Sequence, residues 1–206
     1  MNEICIESIA APFVDSPRAT DLGLRLLSCG QVMGFFDAGG RRHLDAELLR
    51  DLSQALGTAG IARDAVARLP RARGEELERV LGEALAAVED SPQPAGEWAP
   101  ARELLGDELL AQLAGVSPSS LRRYAAGARE TPDEVAWRLH VVARILAGLT
   151  GSYNAYGVRR WFERPRSTLQ GRTPAEVIAA AKTEDDPDLG EAIALAEALA
   201  GAGSAA

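Results

Sequence analysis

At 206 residues, 47% of them hydrophobic, the chain is long enough to bury one large core or two small ones and is not a disordered polymer. Aromatic residues make up only 5%, while Ala, Leu, Arg and Glu dominate, so local propensity favours helix almost throughout and the expected class is all-α. No apolar run approaches the roughly 20 residues that cross a bilayer, and the opening "MNEICIESIAAPF" carries acids where a secretory signal carries bases, so a cytoplasmic location with no membrane attachment is expected.

The formal net charge of -8 is unevenly spread. Residues 1–96 carry 10 Arg against 15 acids, and residues 167–206 carry 2 bases against 7 acids. Residues 97–166 carry 10 Arg against 8 acids, and the stretch from Ser117 to Arg166 alone has 9 Arg against 4. Screening limits each charge to a reach of about 8–10 Å, so a local cationic patch is able to bind phosphate on an acidic protein. Cys5 and Cys29 have neither metal-ligand spacing nor the density of a disulfide scaffold, and both read as small buried residues.

Residues 1–90 read as a helical region of unknown role. "ICIESIA" is too short to assign as a strand, and "GLRLLSCGQVMGFF" and "DAGGRRHL" hold neither a nucleotide-binding glycine pattern nor an acid–base pair. "LDAELLRDLSQAL" sets Leu44, Leu48, Leu49, Leu52 and Leu56 on one helical face, and "GEELERVLGEALAAVED" does the same with Leu77, Val80, Leu81, Leu85 and Val88. These two helices are expected to pack together. Residues 91–100, within "EDSPQPAGEWAP", contain three prolines and a glycine and are expected to form a linker.

After that segment, Ser117-Pro118, Thr131-Pro132 and Thr173-Pro174 each place a hydroxyl at a helix N-cap and a proline at the first helical position, where the missing N–H costs nothing. Glu134 and Glu176 are spaced to complete capping boxes at the second and third. Within residues 101–150, "DELLAQLAGVSPSSLRRYAAG" reads as two short helices joined at Gly115, a residue free to adopt positive φ. Ala111 is small enough for a close crossing, and Val116, Leu121 and Tyr124 fall where an apolar face fills the space between the helices. That spacing matches the helix-turn-helix of sequence-specific DNA-binding proteins. Its second helix, Pro118–Ala126, would present Ser117, Ser119, Ser120, Arg122 and Arg123, with Arg129 beyond it for the flanking backbone. Hydroxyls and guanidinium groups suit base edges and phosphates, and no acid occurs from Val116 to Arg129. A solvated arginine face on an ordinary helical turn is the alternative.

From Pro132 the pattern Val135, Leu139, Val142, Ile145, Leu146 and Leu149 marks the buried stripe of a longer helix, with Gly148 and Gly151 expected to end it. His140 and His43 lack partners at ligand spacing and read as structural or surface residues, so no metal is expected. Residues 151–206 contain "WFERPRSTLQGRTPAEVI", in which Trp161 and Phe162 suit either a core edge or an interface anchor. Arg159, Arg160, Arg164 and Arg166 suit a partner's acids, DNA phosphate or plain solvation.

The order "RLHVVARILAGL" followed by "GVRRWFERPRSTLQGRTPAEVI" resembles the antitoxin and toxin-binding domain of the Xre/MbcA/ParS family, marked by a tryptophan, a proline, a leucine and "G-x-T-P" opening a helix. The matching positions are Trp161, Pro165, Leu169, Gly171, Thr173 and Pro174, and the resemblance spans roughly residues 100–200. It implies an antitoxin that represses its own operator as a dimer or larger assembly and neutralises a partner toxin, commonly of the NAD-consuming RES class. The toxin-binding residues it implies are Trp161, Phe162, Arg164, Pro165, Leu169, Gly171, Arg172, Thr173 and Pro174, together with the helix in "DLGEAIALAEAL". A transcriptional regulator or adaptor with a non-toxin partner is the other reading. No phosphate loop, cysteine–histidine pair or metal cluster supports an enzyme, and no cofactor is expected.

Overall fold

The computed structural model describes residues 6–37 and 39–202. One sequence-based expectation, that Cys5 is a small buried residue, lies outside the described residues. Among the described residues the chain is all-α apart from one pair of two-residue strands, and it divides into two compact units, Met1–Ser91 and Pro92–Ala206.

In the first unit, strand β1 (Ser8–Ile9) pairs in parallel with β2 (His43–Leu44), Ser8 opposite His43 and Ile9 opposite Leu44. Between them runs α1 (Pro17–Val32), a helix the sequence reading did not assign. Its start repeats the hydroxyl-proline device: the Ser16 hydroxyl accepts from the Ala19 N–H at 3.0 Å, with Pro17 at the first helical position. Helix α2 (Ala46–Ala59) begins at Asp45, whose carboxylate accepts from the Glu47 and Leu48 N–H groups, both at 2.9 Å. It is followed by α3 (Arg63–Arg68) and α4 (Gly74–Glu89). Both expected leucine and valine stripes are buried. Their partners differ from expectation, because α4 lies chiefly against α1 while α3 touches both α2 and α4. A helix-length apolar stripe declares a buried face without declaring which neighbour covers it.

The second unit begins its first helix earlier than the expected linker allows. Helix α5 (Pro94–Leu113) already includes Pro94, and Glu97 and Trp98 are fully buried, so the irregular connection shrinks to residues 90–93. Proline at the first helical position starts the helix that a proline-rich composition would deny. The helix breaks at Gly106, whose φ of 78° and ψ of 167° belong to a region that is essentially glycine-only. Then follow α6 (Pro118–Ala125), α7 (Asp133–Leu149), α8 (Ala155–Glu163), α9 (Pro174–Ala180) and α10 (Pro187–Ala202). Helix α7 is the centre of this unit, packed against α5 and α10 and buried along most of its length, including all six residues of the expected stripe.

The three expected helix starts fare differently. Ser117 caps α6, accepting from the Ser120 N–H at 3.2 Å, and Thr173 caps α9 in a full capping box with Glu176. The two N–H bonds of that box measure 3.1 and 2.8 Å. The Thr173 N–H bond to the Glu176 carboxylate is the largest cause holding its pKa below the ordinary carboxylate value. At α7 the helix starts one residue later, with Pro132 itself as the uncapped N-cap, and the Glu134 box does not form. The Thr131 hydroxyl is engaged elsewhere, accepting from the Trp98 indole N–H at 3.0 Å.

Gly148 does not end α7 as expected; it lies inside the helix, where a Cβ would stand 2.7 Å from the backbone carbon of Ala196 in α10. Gly148→Ala is therefore expected to force these helices apart at a cost of about 1–3 kcal/mol, read as a lower urea midpoint. An unchanged midpoint would show that α10 is not seated there.

Candidate functional site

The two helices expected to form a helix-turn-helix are present. The break at Gly106 turns the end of α5 into a separate short helix, and Gly115, at φ 70°, reverses the chain into α6. The Val116 N–H reaches back to the Ala111 carbonyl at 2.9 Å, closing the turn. Ala111, Leu121 and Tyr124 are buried as anticipated, whereas Val116 is only half-buried and plugs less of the gap than its spacing suggested. Tyr124 stacks on Trp98 at 6.0 Å between ring centroids, so α6 rests on the first half of α5 through aromatic contact.

With Leu121 and Tyr124 turned inward, helical geometry places Ser119 near the middle of the outward face and Arg122 and Arg123 on either side of it. All three are exposed. At eight residues, α6 is about 12 Å long, enough to lie in a major groove. Ser117 is committed to the helix cap, and its hydroxyl lies 3.0 Å from that of Ser119 and 3.1 Å from that of Ser120, so the three hydroxyls form one cluster in which Ser119 is exposed and Ser120 half-buried. Arg129 is exposed beyond the helix, its guanidinium carbon 5.4 Å from the centre of the Tyr124 ring.

A carboxylate also enters this face, one the local sequence did not announce. Asp107, the first residue after the glycine break, accepts from Arg102 Nε at 2.9 Å through one oxygen and from Arg122 Nη1 at 3.3 Å through the other. Arg102 comes from α5 before the break and Arg122 from α6, so one acid ties together three pieces of backbone. The hydrogen bond from Arg102 is the largest cause holding the Asp107 carboxyl below the ordinary carboxylate range, and Arg122 acts in the same direction. Its spacing of five residues from Arg102 matches neither helical pairing distance, and only the break at Gly106 brings the two together.

A groove of about 990 Å³ opens past the end of α6, lined in part by Pro94, Tyr124, Arg129, Asp133, Trp137 and Lys182. Glu130, Glu184 and Asp185 also line it. Those acids repel phosphate and stand beside the Arg129 end of the α6 face.

The tryptophan stretch separates into core and rim. Trp161, Phe162, Leu169 and Pro174, which the resemblance implies as toxin contacts, are buried, so in this chain alone their apolar surface faces the unit's own interior. Trp161 and Phe162 meet edge to face at 5.3 Å, and the Arg166 guanidinium lies over the Trp161 ring at 5.3 Å. The Gly171 N–H reaches the Arg166 carbonyl at 2.8 Å and the Arg166 N–H reaches the Arg172 carbonyl at 3.0 Å, closing the loop between α8 and α9 on itself. Gln170 and Gly171 both take positive φ there, 58° and 80°. Arg172 pairs with Asp188 at 2.6 Å and Thr173 caps α9, so both serve the fold. The exposed rim of the motif is Arg164, Pro165 and Gly171, with Thr168 and Gln170 beside them.

His140 is buried and its Nδ1 lies 2.6 Å from Glu97 Oε1, an acid 43 residues earlier that no local pattern ties to it. Among the described residues, no group of three or more His, Cys, Asp and Glu side chains is arranged to hold a metal ion. None of the described helices is long and apolar enough to cross a membrane. No protein family, curated protein or solved structure matches the chain.

Proposed function

We propose that this chain is a DNA-binding antitoxin that represses its own operator through α6 and neutralises a partner toxin, of the NAD-consuming RES type, as a homodimer or larger assembly. The observation that carries the DNA half is the outward face of α6, where Ser119, Arg122 and Arg123 stand exposed on a short helix seated by Leu121 and Tyr124. The toxin half is supported by the resemblance of the tryptophan stretch, and it acts through the exposed rim of that stretch.

Duplex DNA from immediately upstream of the reading frame is expected to be shifted by the full-length protein, with affinity falling as salt rises. Arg123→Ala is expected to cost about 1–3 kcal/mol of that affinity if the side chain reads a base, or to lower the salt slope by about one if it contacts phosphate. A double Arg122→Ala, Arg123→Ala variant that binds as well as the parent, at every salt concentration, refutes the assigned face. For the toxin half, expressing the neighbouring reading frame alone should arrest growth, and co-expressing this protein should restore it.

The burial of Trp161 and Phe162 favours a second reading for the partner half, in which the protein is a transcriptional regulator without a toxin. DNA shift without any growth rescue would select it.

A further inference from the structure

We infer that Asp107 sets the specificity of the α6 face, by holding Arg122 in one pose and by weakening its contact with DNA of the wrong sequence. The inference rests on the DNA-binding reading above and concerns how that same face discriminates.

Arg122 and Arg123 are neighbours, both exposed, with different circumstances. No hydrogen bond or ion pair restrains Arg123 among the described residues, whereas Arg122 is tethered through Nη1 to Asp107. The tether uses only one end of the guanidinium. Nη2 and Nε remain free, and two N–H groups in a fixed fork are what bidentate recognition of a guanine edge requires. The Arg122 side chain is 59% exposed, so without a tether its long stem would sample many rotamers and lose that freedom on binding. Asp107 removes part of that freedom beforehand.

The carboxylate is itself held. Arg102 engages its other oxygen, and Asp107 sits directly after the backbone break at Gly106, so the direction of the tether follows from the fold rather than from a chance surface encounter. As an anion beside Arg122, Asp107 also offsets the attraction of that guanidinium for phosphate. That attraction is the sequence-independent part of binding, and it is the part that must be kept low if the base contact is to decide. Arg123, unopposed, supplies the positioning contact with the backbone; Arg122, opposed and oriented, supplies the reading contact.

The test compares full-length parent, Asp107→Asn and Asp107→Glu proteins on the upstream duplex and on a scrambled duplex of the same composition, across a salt series. Asn keeps the size and loses the charge; Glu keeps the charge. Asp107→Asn should bind the scrambled duplex more tightly, with a salt slope steeper by about one. Its preference for the upstream duplex should fall by about fivefold or more, the lower end of what a bidentate base contact discriminates. Asp107→Glu should retain more of that preference than the Asn variant. Thermal melts establish that each variant is folded, and Arg102→Gln, which loosens the carboxylate from behind, serves if Asp107→Asn is not. A parent protein that prefers the upstream duplex, with the same preference in folded Asp107→Asn or Arg102→Gln, overturns the inference and leaves the DNA-binding reading standing. A parent that shifts neither duplex overturns both.

Discussion

Replacing His140 by leucine is expected to destabilise the second unit by about 3–5 kcal/mol, the range for removing one partner of a buried ionisable pair. Glu97 is fully buried, and its Oε1 has two hydrogen-bond partners, His140 Nδ1 at 2.6 Å and the Gln93 N–H, which donates at 3.0 Å. Oε2 has no hydrogen-bond partner. Leucine at position 140 would leave a buried acid with a single donor, in a site without the solvent that would otherwise compensate it. Replacing both residues by leucine should cost less than His140→Leu alone, because the group that suffers is removed along with its partner. Urea denaturation of the two single variants and the double completes the cycle. A double variant as unstable as the two singles combined would show that the side chains act independently. The pair joins the start of α5 to the middle of α7, and α5 carries both Asp107 and the aromatic seat of α6. Loosening it should therefore also lower affinity for DNA, even though neither residue faces solvent.

Much of the architecture was legible because it depends on local patterns. Period-3.6 stripes located α2, α4 and α7, and the Ser-Pro and Thr-Pro dipeptides located the starts of α6 and α9 within a residue. The same dipeptide at Ser16-Pro17 starts α1 and was there to be used. The failures share a cause, which is that a local signal has competing uses settled only in three dimensions. Thr131 has the spacing of a cap, yet its hydroxyl accepts from Trp98, 33 residues away in sequence. Gly148 has the composition of a stop, yet it lies where a Cβ would meet the α10 backbone at Ala196. Glu97 and His140 meet across 43 residues, and Asp107 reaches Arg122 only because the backbone breaks at Gly106. For the candidate site, the exposure of Arg122 and Arg123 followed from where Leu121 and Tyr124 fall on the helix. The identity of the acid facing Arg122 did not, since it lies on another element.

Trp161→Ala is expected to destabilise the second unit by about 3–5 kcal/mol, as for a buried aromatic truncated in a packed core. The residue is 2% exposed, packs edge to face on Phe162 and lies under the Arg166 guanidinium. Its loss would open a cavity where α8 meets the loop that Leu169 anchors. Thermal melting without any partner present should already show the full effect, which distinguishes a core residue from an interface anchor, whose removal costs little until the partner binds. Arg164→Ala makes the contrast. Arg164 is exposed on the rim, and its truncation should leave the melting profile within about 0.5 kcal/mol of the parent. If the rim is the toxin contact, Arg164→Ala should weaken growth rescue while leaving both fold and DNA shift intact. Loss of rescue in Trp161→Ala carries no such meaning, because an unfolded unit loses every function at once. A Trp161→Ala protein that melts like the parent would reverse this assignment and return the tryptophan to the surface that a partner touches.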